Sequence, residues 1–179
     1  MSIIAFRRYD DHIEVSADGR VMSEDKIISE DNKKIIQISN SLIIGATGLA
    51  DVKGIFHRFV LANQKVFEEY SNKTEILPLF ARFRTYLIDN YGYSEETIKE
   101  LGGFLVVNKS YHGIYYYDDN LSPYCIDDIE YCDKGCVGST RPYTSALLDM
   151  NMSPQDAIIN TAKKYTSIND NVTTLTIEL

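Results

Sequence analysis

The spacing of apolar residues switches back and forth between a strand period and a helix period, and the order of those switches restricts the fold more than any other feature. Ile3 to Phe6 is a short apolar run, and His12 to Ala17 alternates, with Ile13, Val15 and Ala17 on one face and His12, Glu14 and Ser16 on the other. A side chain that changes face at every residue marks a strand. Asp18-Gly19 is a turn signal, Val21 and Ile27-Ile28 read as short strands around a polar Ser23-Glu24-Asp25 turn, and Lys34–Ile38 and Ser41–Ala46 read as a hairpin bent at Ser39-Asn40. From Val52 the apolar positions follow a 3.6-residue period through Phe56, Phe59, Val60 and Phe67 to Tyr70, which predicts one long amphipathic helix. Ser71-Asn72 interrupts it. A second helix is expected from about Thr74 to just before Gly92, with Pro78 near its first turn. Strand patterns resume at Phe104–Val107 and Gly113–Tyr117 and continue in short pieces to Val137. Two further helices are expected, from Pro142 to Met150 and from a Ser153-Pro154 start, before a last strand at Val172–Ile177. Strands, two helices, strands, two helices and a strand make an α+β chain rather than alternating βαβ units. With no repeat, low-complexity tract or linker, residues 1–179 read as one domain.

Charge and cysteine usage remove several function classes. The formal net charge is −8, and Lys33-Lys34, Arg82/Arg84 and Lys163-Lys164 are scattered among acids, so no basic stripe is available for nucleic acid. No apolar run approaches the roughly 18–20 residues that cross a bilayer, and the start has no basic leader followed by an apolar stretch. Cys125, Cys132 and Cys136 are odd in number; Cys132 and Cys136 are spaced C-x3-C without a second ligand pair, and the His residues lie far apart. Zinc is not expected, and thiols in a reducing cytoplasm are.

Several stretches resemble the proteasome β-subunit and HslV peptidases, in the family's order and over nearly the whole chain. They are Ser2-Ile3-Ile4-Ala5-Phe6-Arg7-Arg8, Ser16-Ala17-Asp18-Gly19-Arg20, Asn32-Lys33-Lys34-Ile35, Ile44-Gly45-Ala46-Thr47-Gly48 and Gly138-Ser139-Thr140-Arg141-Pro142-Tyr143. If Met1 is removed, Ser2 becomes the terminal residue, with Asp18 sixteen positions on and Lys34 thirty-two. These steps match the family's separations of nucleophile, aspartate and lysine without a gap. The resemblance implies the four-layer αββα sandwich of the N-terminal-nucleophile hydrolases. It also implies ring-shaped homo-oligomers stacked face to face, an unfolded protein or peptide as substrate, and an HslU-like ATPase as partner.

The chemistry implied is peptide hydrolysis through an acyl-enzyme on the Ser2 oxygen. A serine hydroxyl needs a base, and a terminal α-amine, with a pKa near ~8 against ~10.4 for lysine, supplies one at neutral pH. In this reading Lys34 depresses that amine by like-charge repulsion and Asp18 holds Lys34. Gly45 offers a backbone N–H to the oxyanion, and Ser139 supports the amine. The loop Ser167–Thr173 resembles the family's cation loop, with Ser167, Asp170 and Thr173 at three-residue steps for a structural sodium; hydrolysis itself requires no cofactor. The alternative is a catalytically silent relative serving as a structural ring or assembly subunit, which retention of Met1 would favour.

Overall fold

The computed structural model of the chain describes residues 2–23, 26–128 and 133–179. The polar turn expected at Ser23-Glu24-Asp25 and Cys132 of the C-x3-C pair therefore fall partly or wholly outside the described residues. Six strands precede the first helix: β1 (Ile3–Arg8), β2 (His12–Asp18), β3 (Val21–Ser23), β4 (Lys26–Ser29), β5 (Ile35–Ser39) and β6 (Leu42–Ala46). Helices α1 (Ala50–Ala62), α2 (Gln64–Glu69), α3 (Lys73–Tyr91) and α4 (Glu95–Lys99) follow. Strands β7 (Phe104–Asn108), β8 (His112–Tyr117), β9 (Pro123–Asp128) and β10 (Lys134–Gly138) lead to α5 (Arg141–Asp149), α6 (Pro154–Lys164) and β11 (Val172–Glu178).

These elements build two antiparallel sheets, ordered β10-β1-β2-β11 and β5-β6-β7-β8-β9, with β3-β4 as a separate hairpin. Strand alternation explains why the sheets stack. In β1, Ile4 and Phe6 enter the layer between the sheets, while Ile3 and Ala5 face α5 and α6 through Leu148, Ala157 and Ile158. In β7, Leu105 and Val107 enter the same inter-sheet layer, while Phe104 and Val106 face α1–α4 through Phe56, Phe80 and Phe83. Three apolar layers between four structural layers give the αββα sandwich. Strands buried on both faces read as continuous apolar runs, as Ile3–Phe6 and Leu105–Val107 do.

The expected single helix over Val52–Tyr70 is two. Asn63 (φ −124°, ψ 22°) ends α1, and its side-chain amide donates to the Phe59 carbonyl at 2.8 Å. An asparagine that bonds its own helix backbone in this way competes with helix continuation. Helix α3 matches its expected span and stops at Gly92, whose φ of 66° is the left-handed C-cap conformation that glycine adopts without strain. Pro78 lies within α3, in its second turn. Helix α4 carries no apolar period long enough to announce it, being five residues capped by the Ser94 side chain. No described helix is long and apolar enough to cross a membrane.

Candidate active site

Ser2 sits immediately before β1, where three segments meet. In the β1–β10 pairing Ile3 lies opposite Gly138, and the Ser139 N–H donates to the Ser2 carbonyl at 3.1 Å. Gly138 has φ +134°, and a Cβ on it would stand 1.9 Å from the Ser2 carbonyl oxygen. Only glycine lets β10 close over Ser2 so tightly. On the other side, β2 ends at Asp18, whose Oδ1 accepts the Ile3 N–H at 2.8 Å. The peptide group between Ser2 and Ile3 is thus held at both its ends by residues distant in sequence.

Asp18 and Lys34 form a buried pair. Lys34 Nζ donates to Asp18 Oδ1 and to the Arg20 carbonyl, each at 2.6 Å, and the two side chains are 4% and 0% exposed. Asp18 Oδ2 also accepts the Arg20 N–H at 3.1 Å. Ion pairs hidden from water persist only when most donors and lone pairs are satisfied, and Asp18 with three donors meets that condition. Burial pushes the Lys34 ammonium below its ordinary pKa of 10.5; the Asp18 charge and hydrogen bond oppose that, while the positive charges of Lys53 and Arg20 add to it. The result is a lysine that is tethered and easier to deprotonate than a surface lysine.

Half-buried Ser2 borders two clefts. One has Val21, Met22, Asn32, Lys34 and Lys53 among its walls. The other is walled largely by glycine: Gly102, Gly103 and Gly138, with Tyr116 and Ser139. Gly48 belongs to both. Its φ is +92°, and a Cβ there would lie 2.6 Å from the Gly102 nitrogen, so the loop after β6 needs glycine at this position. Thr47 fixes that loop: its N–H donates to the Gly103 carbonyl at 3.0 Å, and its hydroxyl accepts the Gly103 N–H at 3.0 Å.

The structure therefore brings together Ser2, Asp18, Lys34 and Ser139. Gly45 lies elsewhere: it is inside β6, where a Cβ would meet Ile4 and Ile35 side chains at 2.9 and 3.0 Å, and it borders neither cleft. Gly48 is the glycine beside Ser2. The loop from Ser167 to Thr173 lies beyond Asp18. The carbonyls of Thr166 and Ile168 accept from the Arg20 guanidinium, the latter at 3.4 Å, and Thr173 pairs with Ala17 in the β2–β11 ladder. Asn169 ties the loop to Gly19 and Glu30. Arg20, itself paired with Glu30 at 2.9 Å, thus bonds the carbonyls of Thr166 and Ile168, which are not the three-residue steps Ser167, Asp170 and Thr173 named for sodium. No step below involves sodium. Among the described residues no three His, Cys, Asp or Glu side chains gather as a metal site.

The family model for proteasome subunits matches residues 2–165. No curated protein matches the sequence. Among solved structures, BPH from Thiobacillus denitrificans is similar with a TM-score of 0.77 at 16% identity, over 99% of this chain and 98% of that one. The same protein in complex with Epoxomicin gives 0.71 at 17%, over 99% and 98% of the two chains. Eukaryotic HslV from Trypanosoma brucei gives 0.65 at 15%, over 99% of both chains.

Proposed function

The chain belongs to the proteasome-subunit family, and from that premise we propose that it is a peptidase subunit whose nucleophile is the hydroxyl of Ser2 once Met1 has been removed. The observation that carries this reading is the anchoring of the Ser2–Ile3 backbone by Asp18, the same carboxylate that holds the buried Lys34 ammonium. A position set between a strand partner, a carboxylate and a lysine is built to keep a terminal residue still.

In the proposed reaction the neutral α-amine of Ser2 takes the proton from its own Oγ, and Oγ attacks the peptide carbonyl carbon. The carbonyl oxygen becomes an oxyanion, for which the Gly48 N–H is the proposed donor; such donors are typically worth ~10²–10³ in rate. The C–N bond breaks as the protonated amine passes its proton to the leaving nitrogen, leaving an ester on Ser2. Water, deprotonated by the same amine, hydrolyses that ester and returns Ser2 to its starting state. Lys34 stays charged throughout, keeping the α-amine neutral and offsetting the negative charge that develops on Oγ. Ser139, bonded to the Ser2 carbonyl, holds the terminal residue in register.

The same reading takes unfolded protein or peptide as the substrate. It places the subunit in stacked homo-oligomeric rings, with an HslU-like ATPase as feeder and the cytoplasm as location. Sedimentation of the purified protein tests the ring: a single species many times the 20.4 kDa chain is expected, and a monomer would contradict it.

A pH profile of peptide cleavage tests the chemistry. The rate should rise as the α-amine loses its proton near or below pH ~8. It should fall again as Lys34 loses its own, at a pH below the ordinary lysine value of 10.5. The sign for stability is opposite. Since the folded state binds the Lys34 proton less tightly than the unfolded chain does, the lysine's contribution to stability increases between its lowered pKa and 10.5. Alkaline inactivation should therefore occur with the fold intact by circular dichroism. A profile flat from neutral to alkaline pH would contradict this assignment.

A further inference from the structure

We propose that Lys53 makes the cleft beside Ser2 selective for an acidic side chain on the residue that carries the scissile carbonyl. This rests on the peptidase reading above and adds its substrate class. Charge selectivity falls to this cleft because the opposite one is lined by Gly48, Gly102, Gly103 and Gly138 with the uncharged side chains of Thr47, Tyr116 and Ser139. Here the walls are mixed. Val21, Met22, Ala46 and Leu49 are apolar and suit a short aliphatic stem, and Lys53 brings an ammonium to the same space.

Among the described residues that ammonium has only neutral partners. Lys53, in the first turn of α1, donates from Nζ to the Asn32 side-chain oxygen at 2.8 Å and to the Lys33 carbonyl, both neutral acceptors. Among the described residues no carboxylate comes within ion-pair distance of it. Acids of the same segments have partners of their own: Asp18 with Lys34, Glu30 with Arg20, Asp31 with the Asn171 amide, and Asp51 with the Tyr93 hydroxyl at 2.6 Å. Lys53 is also half-buried, and its field reaches Lys34, whose proton it loosens. A desolvated ammonium with only neutral partners gains most from an incoming carboxylate. A lysine or arginine side chain there would meet like charge from both Lys53 and Lys34.

Peptides identical except for Glu, Gln or Lys at that position test the proposal. The ratio of kcat/KM for Glu over Gln should be roughly 10- to 100-fold, the range for a hydrogen bond to a charged group, with Lys poorer than Gln. Raising the salt concentration on the unaltered protein should shrink the ratio. Lys53→Met should bring it near one, and Lys53→Glu should turn the preference toward Lys. Binding of the same peptides to the Ser2→Ala protein, followed by fluorescence anisotropy, should show the same order without turnover. Equal cleavage of Glu and Gln peptides would overturn the selectivity while leaving the peptidase reading intact. No cleavage of any peptide would count against that reading, and the binding order would then decide this one: Glu and Gln bound alike would overturn it.

Discussion

Ser2→Ala should abolish peptide cleavage, lowering kcat by a thousandfold or more, while leaving the melting temperature unchanged. The two halves of this expectation come from different atoms of one residue. The hydroxyl is the only part of Ser2 that alanine removes, and loss of a nucleophile that acts as a unit with its base removes nearly all of the rate. The anchoring bonds are made by backbone: the Ser139 N–H to the Ser2 carbonyl, and the Ile3 N–H to Asp18. Alanine keeps both. Cleavage that survives in Ser2→Ala would point to another nucleophile and would remove the mechanism. Cleavage lost together with the fold, seen by thermal melting, would mean that the hydroxyl serves structure instead.

Lys34→Met should strike activity and stability together. Cleavage should fall by at least about a hundredfold, as when a charge-stabilising group is taken from a reacting centre. Stability should fall by about 3–5 kcal/mol, the usual cost of leaving one member of a buried ion pair alone; at 179 residues that lowers the melting temperature by roughly 10 °C. The cost arises at Asp18, fully enclosed and deprived of its strongest donor. Pairing the change with Asp18→Leu should recover much of the stability, since an apolar pair of similar volume is often as stable as a buried ion pair, yet recover none of the activity. Recovery of both would show that the pair acts only through the fold. The Ile3 and Arg20 N–H groups, which lose their acceptor in that double variant, limit how complete the recovery can be.

The sandwich was legible because period follows burial. Strands sealed on both faces read as unbroken apolar runs, and the switch to a 3.6 period at Val52 marks α1 whatever packs on it. Legibility failed where a local bond outweighs the period. Asn63 splits the expected long helix through its side-chain bond to Phe59, and Ser94 caps a helix too short to show periodicity. In the candidate site, Asp18 and Lys34 were legible through the family's spacing: Asp18 ends β2, which pairs with β1 beside Ser2, and Lys34, just before β5 of the other sheet, reaches Asp18 through its ammonium. Gly45 and Gly48 could not be told apart in the same way. Three positions separate them, Gly45 inside β6 and Gly48 in the loop after it, and only the approach of Gly102 and Gly103 to Thr47 and Gly48 shows which glycine reaches the cleft. Arg20 and Lys53 were hidden for another reason. In sequence each is an ordinary solvated charge, and each gains meaning from a neighbour supplied by another element: the Thr166 and Ile168 carbonyls for Arg20, and Asn32 and Ser2 for Lys53.

The most direct test is the mass of the intact native protein before and after exposure to an electrophile that must bond both a hydroxyl and a free α-amine on the same residue. The expected result is a chain lacking Met1 that gains a single adduct, mapped to Ser2 and absent from Ser2→Ala. A native chain that keeps Met1 and gains no adduct would contradict the account at its centre.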